Sequence, residues 1–171
     1  VRPGVTTGEI DRAVRSFIQS KGAIPSFLGY GGFPGSACVS VNDVIIHGIP
    51  GGRVIQEGDI VSLDAGVIYK GYHSDAARTH GVGEISKEAK QLIEVTRQSF
   101  FEGIKYAKAG NHLNDISKAI QEYAESFGFG VVRDLVGHGI GTEMHEAPEI
   151  PNFSQRRKGI KLAPGMTLAI E

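Results

Sequence analysis

Two aspartates, Asp64 and Asp75, stand in an apolar run from Val61 to Asp75 where a sheet ordinarily carries Val or Ile. Between them, Tyr69-Lys70-Gly71-Tyr72 reads as a tight turn joining two runs rich in β-branched and aromatic residues, which is a hairpin signal. With Lys70 and Gly71 as the two turn residues, Tyr69 pairs with Tyr72 and Asp64 falls opposite Ala77. Asp75 is then the diagonal neighbour of Asp64. Side chains alternate faces with period two, so both carboxylates share one face, with Cα atoms roughly 7–8 Å apart. Two like charges so placed in a half-buried sheet repel each other and cost desolvation energy, and something positive belongs between them. A divalent ion or a pair of ions meets that need. So does the plainer arrangement in which one aspartate faces solvent or meets the nearby Arg78, and the hairpin alone leaves both open.

Further residues of the same chemistry sit at the ends of other apolar runs. Val131–Val136 reads as a strand leading into Gly137-His138-Gly139-Ile140-Gly141, with His145 seven residues beyond His138. Glycine on both sides of His138 removes side-chain bulk, so that imidazole and backbone can approach a metal or substrate closely. The glycine spacing does not fit the dinucleotide fingerprint, because the third glycine comes too early and no helix opens after it. His145-Glu146 is not an H-E-x-x-H zinc motif either, since residue 149 is Glu. Glu171 ends the strand-like Met166–Ile170, and His47 follows the apolar Val44–Ile46, where a strand meets a turn. The set Asp64, Asp75, His138 and Glu171 is hard and oxygen-rich with one nitrogen, which suits Mn, Co, Fe or Zn with room for water better than a thiolate-rich structural zinc site. Three carboxylates exceed the charge one divalent ion needs, which favours two ions.

The elements that must position these residues are legible from period and punctuation. Thr6-Thr7-Gly8-Glu9 is a capping box, and Ile10, Ala13, Val14, Phe17 and Ile18 follow at helical spacing, giving an amphipathic helix that ends near Gly22. Ser86 caps a second helix running to about Lys108, with Ala89, Leu92, Ile93, Thr96 and Phe100 on its inner face. A third carries Ile116, Ala119, Ile120, Tyr123, Ala124 and Phe127, with Gly128 just past its end. Ala37–Val41 and Val44–Ile46 read as strand segments. Phe27–Ser36 supplies aromatic residues on a glycine-rich backbone, which serves equally as a pocket wall or as a loop with aromatics buried beneath it.

Composition bounds the answer. At 171 residues the chain fits one domain, 1–171, long enough to bury a core without disulfide or zinc staples. A formal net charge of -1 supplies no basic field for nucleic acid. The single cysteine, Cys38, suits a reducing compartment, and no apolar stretch is long enough to span a membrane, so the expectation is a soluble, cytoplasmic protein. Starting at Val1 and stopping on the last residue of a strand, the sequence reads as trimmed at both ends.

The segments Val41–Pro50, Gly58–Asp64, Gly71–Asp75, Gly137–Gly141, Met144–Pro148 and Pro164–Glu171 together resemble, in order and across nearly the whole chain, the type I methionine aminopeptidases. That resemblance implies an α+β pita-bread fold, a curved antiparallel sheet covered by helices, here lacking its first helix and last strands. It implies removal of the N-terminal methionine from nascent proteins with a small second residue, through a hydroxide bridging two divalent ions (Co, Mn, Fe or Zn). Asp64, Asp75, His138 and Glu171 would be the metal ligands, with Glu171 also accepting a proton. His47 and His145 would bind the substrate amide and stabilise the tetrahedral intermediate, and Tyr30, Phe33, Cys38 and Met144 would line the methionine pocket. Phe27 stands where some members have cysteine, and Met144 where Phe is common. The family's fifth ligand, a bridging glutamate, lies beyond the counterpart of Glu171. The implied partners are nascent N-terminal peptides and the ribosome that presents them, with no nucleic-acid motif, no membrane and a monomeric chain. The alternatives are a related pita-bread Xaa-Pro peptidase, or a pita-bread module that binds metal or a partner without turnover.

Overall fold

A computed structural model describes residues 1–171. They form two compact units, Val1–Lys90 and Gln91–Glu171, each with its own sheet and core.

In the first unit, helix α1 (Thr7–Ser20) starts where the capping box predicts: Thr6 Oγ1 accepts from the Glu9 N–H at 3.1 Å, and the Glu9 carboxylate accepts from the Thr6 N–H at 2.7 Å. The sheet is built on strand β3 (Ile60–Tyr69). One edge of β3 pairs along its whole length with β4 (Tyr72–Gly81). The other edge is shared by β2 (Cys38–Val41) and the two-residue β1 (Ile24–Pro25). All pairings are antiparallel. The connecting turn is Lys70-Gly71 with φ of 52° and 83°, the left-handed pair that a two-residue hairpin requires and that glycine adopts without strain.

The register makes the two faces of this sheet different. Val39, Val61 and Leu63 lie on one face, where they pack with Ile10 of α1, Ile55 and Val82. Cys38, Asp64, Asp75 and His73 fall on the other by their pairings Cys38–Asp64, Asp64–Ala77, Gly66–Asp75 and Ile68–His73. Not all of the α1 stripe is core, however. Ile10 and Ile18 are buried, whereas Phe17 is 63% exposed.

Val44–Ile46 is not a strand. These residues are irregular and exposed, because Asn42 adopts φ of 54° and turns the chain off the sheet edge. The Asn42 side chain then bridges, donating to Asp59 at 2.8 Å and accepting from the Ile60 N–H at 3.0 Å.

Helix α2 (Lys87–Ile104) starts at the end of the first unit and runs on into the second, where it and α3 (Leu113–Ser126) accompany a sheet in which β5 (Gly137–Gly139) lies between β6 (Glu146–Ile150) and β7 (Leu168–Ala169). Ser86 Oγ caps α2 as expected, accepting from the Ala89 N–H. The helix stops four residues earlier than the periodicity indicates. Its buried residues are Val95, Ser99 and Gly103, not the Leu92 and Thr96 of the expected inner face, both of which are exposed. A stripe of small residues wins because the backbone comes close to a neighbour: a Cβ on Gly103 would sit 2.6 Å from Cγ1 of Ile120 on α3. On α3, Ile116, Ile120 and Ala124 are buried as predicted, and Gly128 takes a left-handed φ of 82° just past the end. Val131–Val136 also fails as a strand, and β5 begins only at Gly137.

Asp59 locks the turn into β3. Burial works against its ionisation, yet the Gln56 N–H at 2.8 Å, the Asn42 amide and the Arg53 guanidinium at 3.2 Å outweigh it and hold its carboxyl below the ordinary value of 3.8. A depressed folded-state pKa adds stability that is present above the unfolded value and lost as pH falls through the folded one. Asp59→Ala is therefore expected to cost about 1–3 kcal/mol near neutral pH, since it removes a buried charged acceptor shared by three donors. Urea titrations of both proteins check this, and the gap between them narrows below about pH 4.

Candidate functional site

The paired carboxylates occupy the register the sequence implies. Asp64 is opposite Ala77, Asp75 is opposite Gly66, and both are half-buried on one face. Arg78 is opposite Leu63, which places it on the other face, and its guanidinium donates to the Ala77 carbonyl.

Cys38 lies directly opposite Asp64 and is 4% exposed. Burial, then the negative charges of Asp64 and Asp75, push its thiol up to about 12. The thiol therefore stays neutral, which leaves this face with oxygen donors and no thiolate. His73, on the same face, was not singled out by sequence, although period two from Asp75 identifies it. Its Nδ1 is 3.0 Å from Ser26 Oγ. Ser26 and Phe27 cover Gly66 so closely that a Cβ there would be 2.7 Å from the Phe27 ring.

The loop ahead of β2 is fastened at its end. Asp11 of α1 accepts from the Ser36 and Ala37 N–H groups at 2.6 and 3.0 Å, and Arg15 Nε donates to Ser36 Oγ. Tyr30 sits half-exposed in a short 3₁₀ turn, Tyr30–Gly32, and Phe33 is half-buried just after it.

His47 is exposed with φ of 56°, a left-handed geometry that costs a non-glycine residue roughly 1–2 kcal/mol. Gly48 holds it there. The Gly48 carbonyl accepts from the Val39 N–H, and the Gly48 N–H donates to Ser40 Oγ at 3.0 Å. A Cβ on Gly48 would lie 2.4 Å from the Val39 carbonyl oxygen. The anchor of His47 is thus the glycine after it, not a strand before it.

In the second unit, the glycines around His138 serve the sheet. A Cβ on Gly137 would be 2.4 Å from the Ala169 carbonyl oxygen, and one on Gly139 would be 2.3 Å from that of Ala147. Close approach is real, but the approaching backbones are β7 and the start of β6, and the buried His138 is held between them.

The imidazole of His138 has a defined tautomer. Its Nδ1 is 2.8 Å from the Gly139 carbonyl oxygen; a carbonyl can only accept, so Nδ1 carries a proton. Nε2 lies 3.0 Å from Oε1 of the half-exposed Glu171. An imidazole nitrogen and a carboxylate oxygen this close are donors that one divalent ion could take together as ligands. His145 stands beside this pair, its ring centroid 4.3 Å from that of His138, and Met144 is buried next to it. Imidazole with a fixed tautomer, carboxylates and no thiolate fit a divalent metal of the Mn, Co, Fe or Zn kind.

The model of metallopeptidase family M24 matches residues 1–171. The chain belongs to this family. Membership carries the α+β pita-bread fold, in agreement with the antiparallel sheets and helices above, and a metal-dependent peptidase chemistry. Among M24 relatives, the methionine aminopeptidase of Clostridium acetobutylicum is 60% identical over 171 residues, covering 99% of this chain and 68% of that protein. The crystal structure of methionine aminopeptidase from Thermotoga maritima superimposes with a TM-score of 0.97 at 46% identity, covering 99% of this chain and 69% of that one. The Xaa-Pro dipeptidase from Bacillus anthracis follows at a TM-score of 0.85 and 32% identity, with 99% of this chain matching 46% of that one. No helix is long and apolar enough to cross a membrane.

The state of Cys38 has a direct readout. In the metal-free protein at pH 8, reaction of Cys38 with Ellman's reagent is expected to be roughly 10³-fold slower than in the guanidinium-unfolded chain, because the thiolate is the reacting species. Equal rates in the two states would show that the thiol is neither buried nor held neutral.

Proposed function

We propose that this chain removes the N-terminal methionine from peptides and nascent proteins whose second residue is small, using two divalent ions. The observation that carries the reading is the convergence of His138 Nε2 and Glu171 Oε1 at 3.0 Å, with Nδ1 already committed to a carbonyl. Family membership and 60% identity to a methionine aminopeptidase support it.

Asp64 and Asp75 of the first unit and His138 and Glu171 of the second are the proposed ligands. The ions, Co, Mn, Fe or Zn, would supply Lewis acidity that activates water near neutral pH and holds the substrate amine. The chain's own residues do the rest. Glu171 takes up the proton released as water attacks the scissile carbonyl, and the Gly139 carbonyl keeps His138 in its ligating tautomer. His145 and His47 donate N–H groups to the amide and to the developing oxyanion, each worth roughly 3–4 kcal/mol when well placed. Tyr30, Phe33, Cys38 and Met144 line the methionine pocket, where a neutral thiol and apolar surface suit a thioether. Nascent peptides emerging from the ribosome, met by a monomeric enzyme in the cytoplasm, are the proposed partners and setting.

Hydrolysis of Met-Gly-Met-Met with added Co or Mn is expected, and calorimetric titration of the metal-free protein should find two sites per chain. His145→Ala should lower kcat by about 10²–10³-fold with metal stoichiometry unchanged. Preference for Xaa-Pro peptides over Met-Gly peptides would move the assignment to the Xaa-Pro branch. One weak metal site with no turnover would instead make the chain a binding module.

A further inference from the structure

The connection between β5 and β6 carries Met144 and His145, and its shape depends on the residue after them. Glu146, the first residue of β6, folds its carboxylate back into the connection. Its Oε1 accepts from the Glu143 N–H at 2.9 Å and from Thr142 Oγ1 at 3.4 Å. The Gly141 N–H meanwhile donates to the Glu143 carbonyl at 3.1 Å, closing the turn from the other side. The carboxylate occupies the space a side chain on Gly141 would need: a Cβ there would stand 2.7 Å from Oε1 and 2.9 Å from Oε2 of Glu146. The backbone of Glu146 is itself paired with Gly139, the carbonyl of which fixes the His138 tautomer. His145 therefore emerges between two pinned neighbours, the buried Met144 and the turn-closing Glu146, and its ring stands 4.3 Å from that of His138.

The geometry points to Glu146 as the positioning residue that holds His145 beside His138 by closing the Gly141–Glu146 turn with its carboxylate. This rests on the aminopeptidase reading only for its kinetic consequence; the positioning itself is a property of the second unit alone. A carboxylate suits the role because it accepts two hydrogen bonds at one oxygen and keeps the other oxygen solvated in an exposed turn. An amide in its place would still offer one acceptor oxygen of the same reach. A methyl group offers none, and the backbone N–H of Glu143 would turn to water.

Three variants test it: Glu146→Ala, Glu146→Gln and Gly141→Ala, the last displacing the carboxylate without altering it. The first readout is the nuclear Overhauser effect between the ring protons of His138 and His145. It should be present in the parent protein and in Glu146→Gln, and weakened or lost in Glu146→Ala and Gly141→Ala, with far-ultraviolet circular dichroism unchanged. The second readout is cleavage of Met-Gly-Met-Met by the metal-loaded protein. There kcat should fall at least 10-fold in Glu146→Ala and Gly141→Ala with KM changed less than 2-fold, and Glu146→Gln should recover most of the rate. A ring contact that persists in Glu146→Ala overturns the inference, as does a kcat equal to that of the parent. Should Glu146→Ala fail to fold, the Gly141→Ala and Glu146→Gln pair decides between the same outcomes. A parent protein that shows the ring contact and its predicted losses but cleaves no methionyl peptide leaves the positioning intact and defeats the aminopeptidase reading instead.

Discussion

Two negative charges held on one face of a half-buried sheet are the constraint from which much of this molecule follows. Asp64 and Asp75 are kept together by what lies behind them. Val39, Val61 and Leu63 point from the opposite face into a core with Ile10, Ile55 and Val82. A slip of β3 by one residue would carry the aspartates into that core and expose the valines to water. At roughly 1.5–3 kcal/mol for each fully buried apolar side chain, the back of the sheet outweighs the repulsion at its front. The electrostatic strain is visible in the bystander Cys38, whose ionisation both carboxylates oppose. A cation bound at this face would be favoured by both carboxylates.

In the second unit the buried His138 is oriented by hydrogen bonding and strand pairing. His138 lies on a strand whose other two residues are glycines, and its orientation comes from a carbonyl one residue away and a carboxylate at the end of the chain. Histidine, carbonyl and carboxylate form the kind of chain in which the outer hydrogen bond sets which nitrogen is left for a metal.

The sequence was readable where one local rule acted without competition. The Lys70-Gly71 turn dictated the register of the hairpin, and with it the shared face of Asp64 and Asp75. The Thr6 capping box and the Ile116–Ala124 stripe gave their helices directly. Reading broke down where apolar residues were not buried, or where glycine replaced them. Val44–Ile46 and Val131–Val136 have strand composition, but the left-handed Asn42 diverts the first and β5 takes up pairing only after the second. On α2 the tight approach near Ile120 selected Val95, Ser99 and Gly103, a choice that no hydrophobic period encodes. The candidate site residues were proposed from type, spacing and resemblance. Their supports, the anchoring of His47 through Gly48 and the turn under His145, depend on tertiary contacts that no spacing displays.

The make-up of β5 bears on how the site behaves in time. A strand of three residues with a single side chain cannot be stapled by interdigitation, so it owes its place to the ladders on either side. Those ladders reach into the core of the unit: β5 is buried, Gly137 pairs with Ile150, and Gly139 pairs with Leu168, which packs against the cluster of Ile116, Ile120 and Ile150, so β5 is tied to that cluster through both neighbours. When β5 opens, His138 loses the carbonyl that sets its tautomer and the carboxylate that faces it in the same event. The orientation of the imidazole and the integrity of this sheet are thus one property: His138 keeps its tautomer for as long as the strands on both sides of it stay paired.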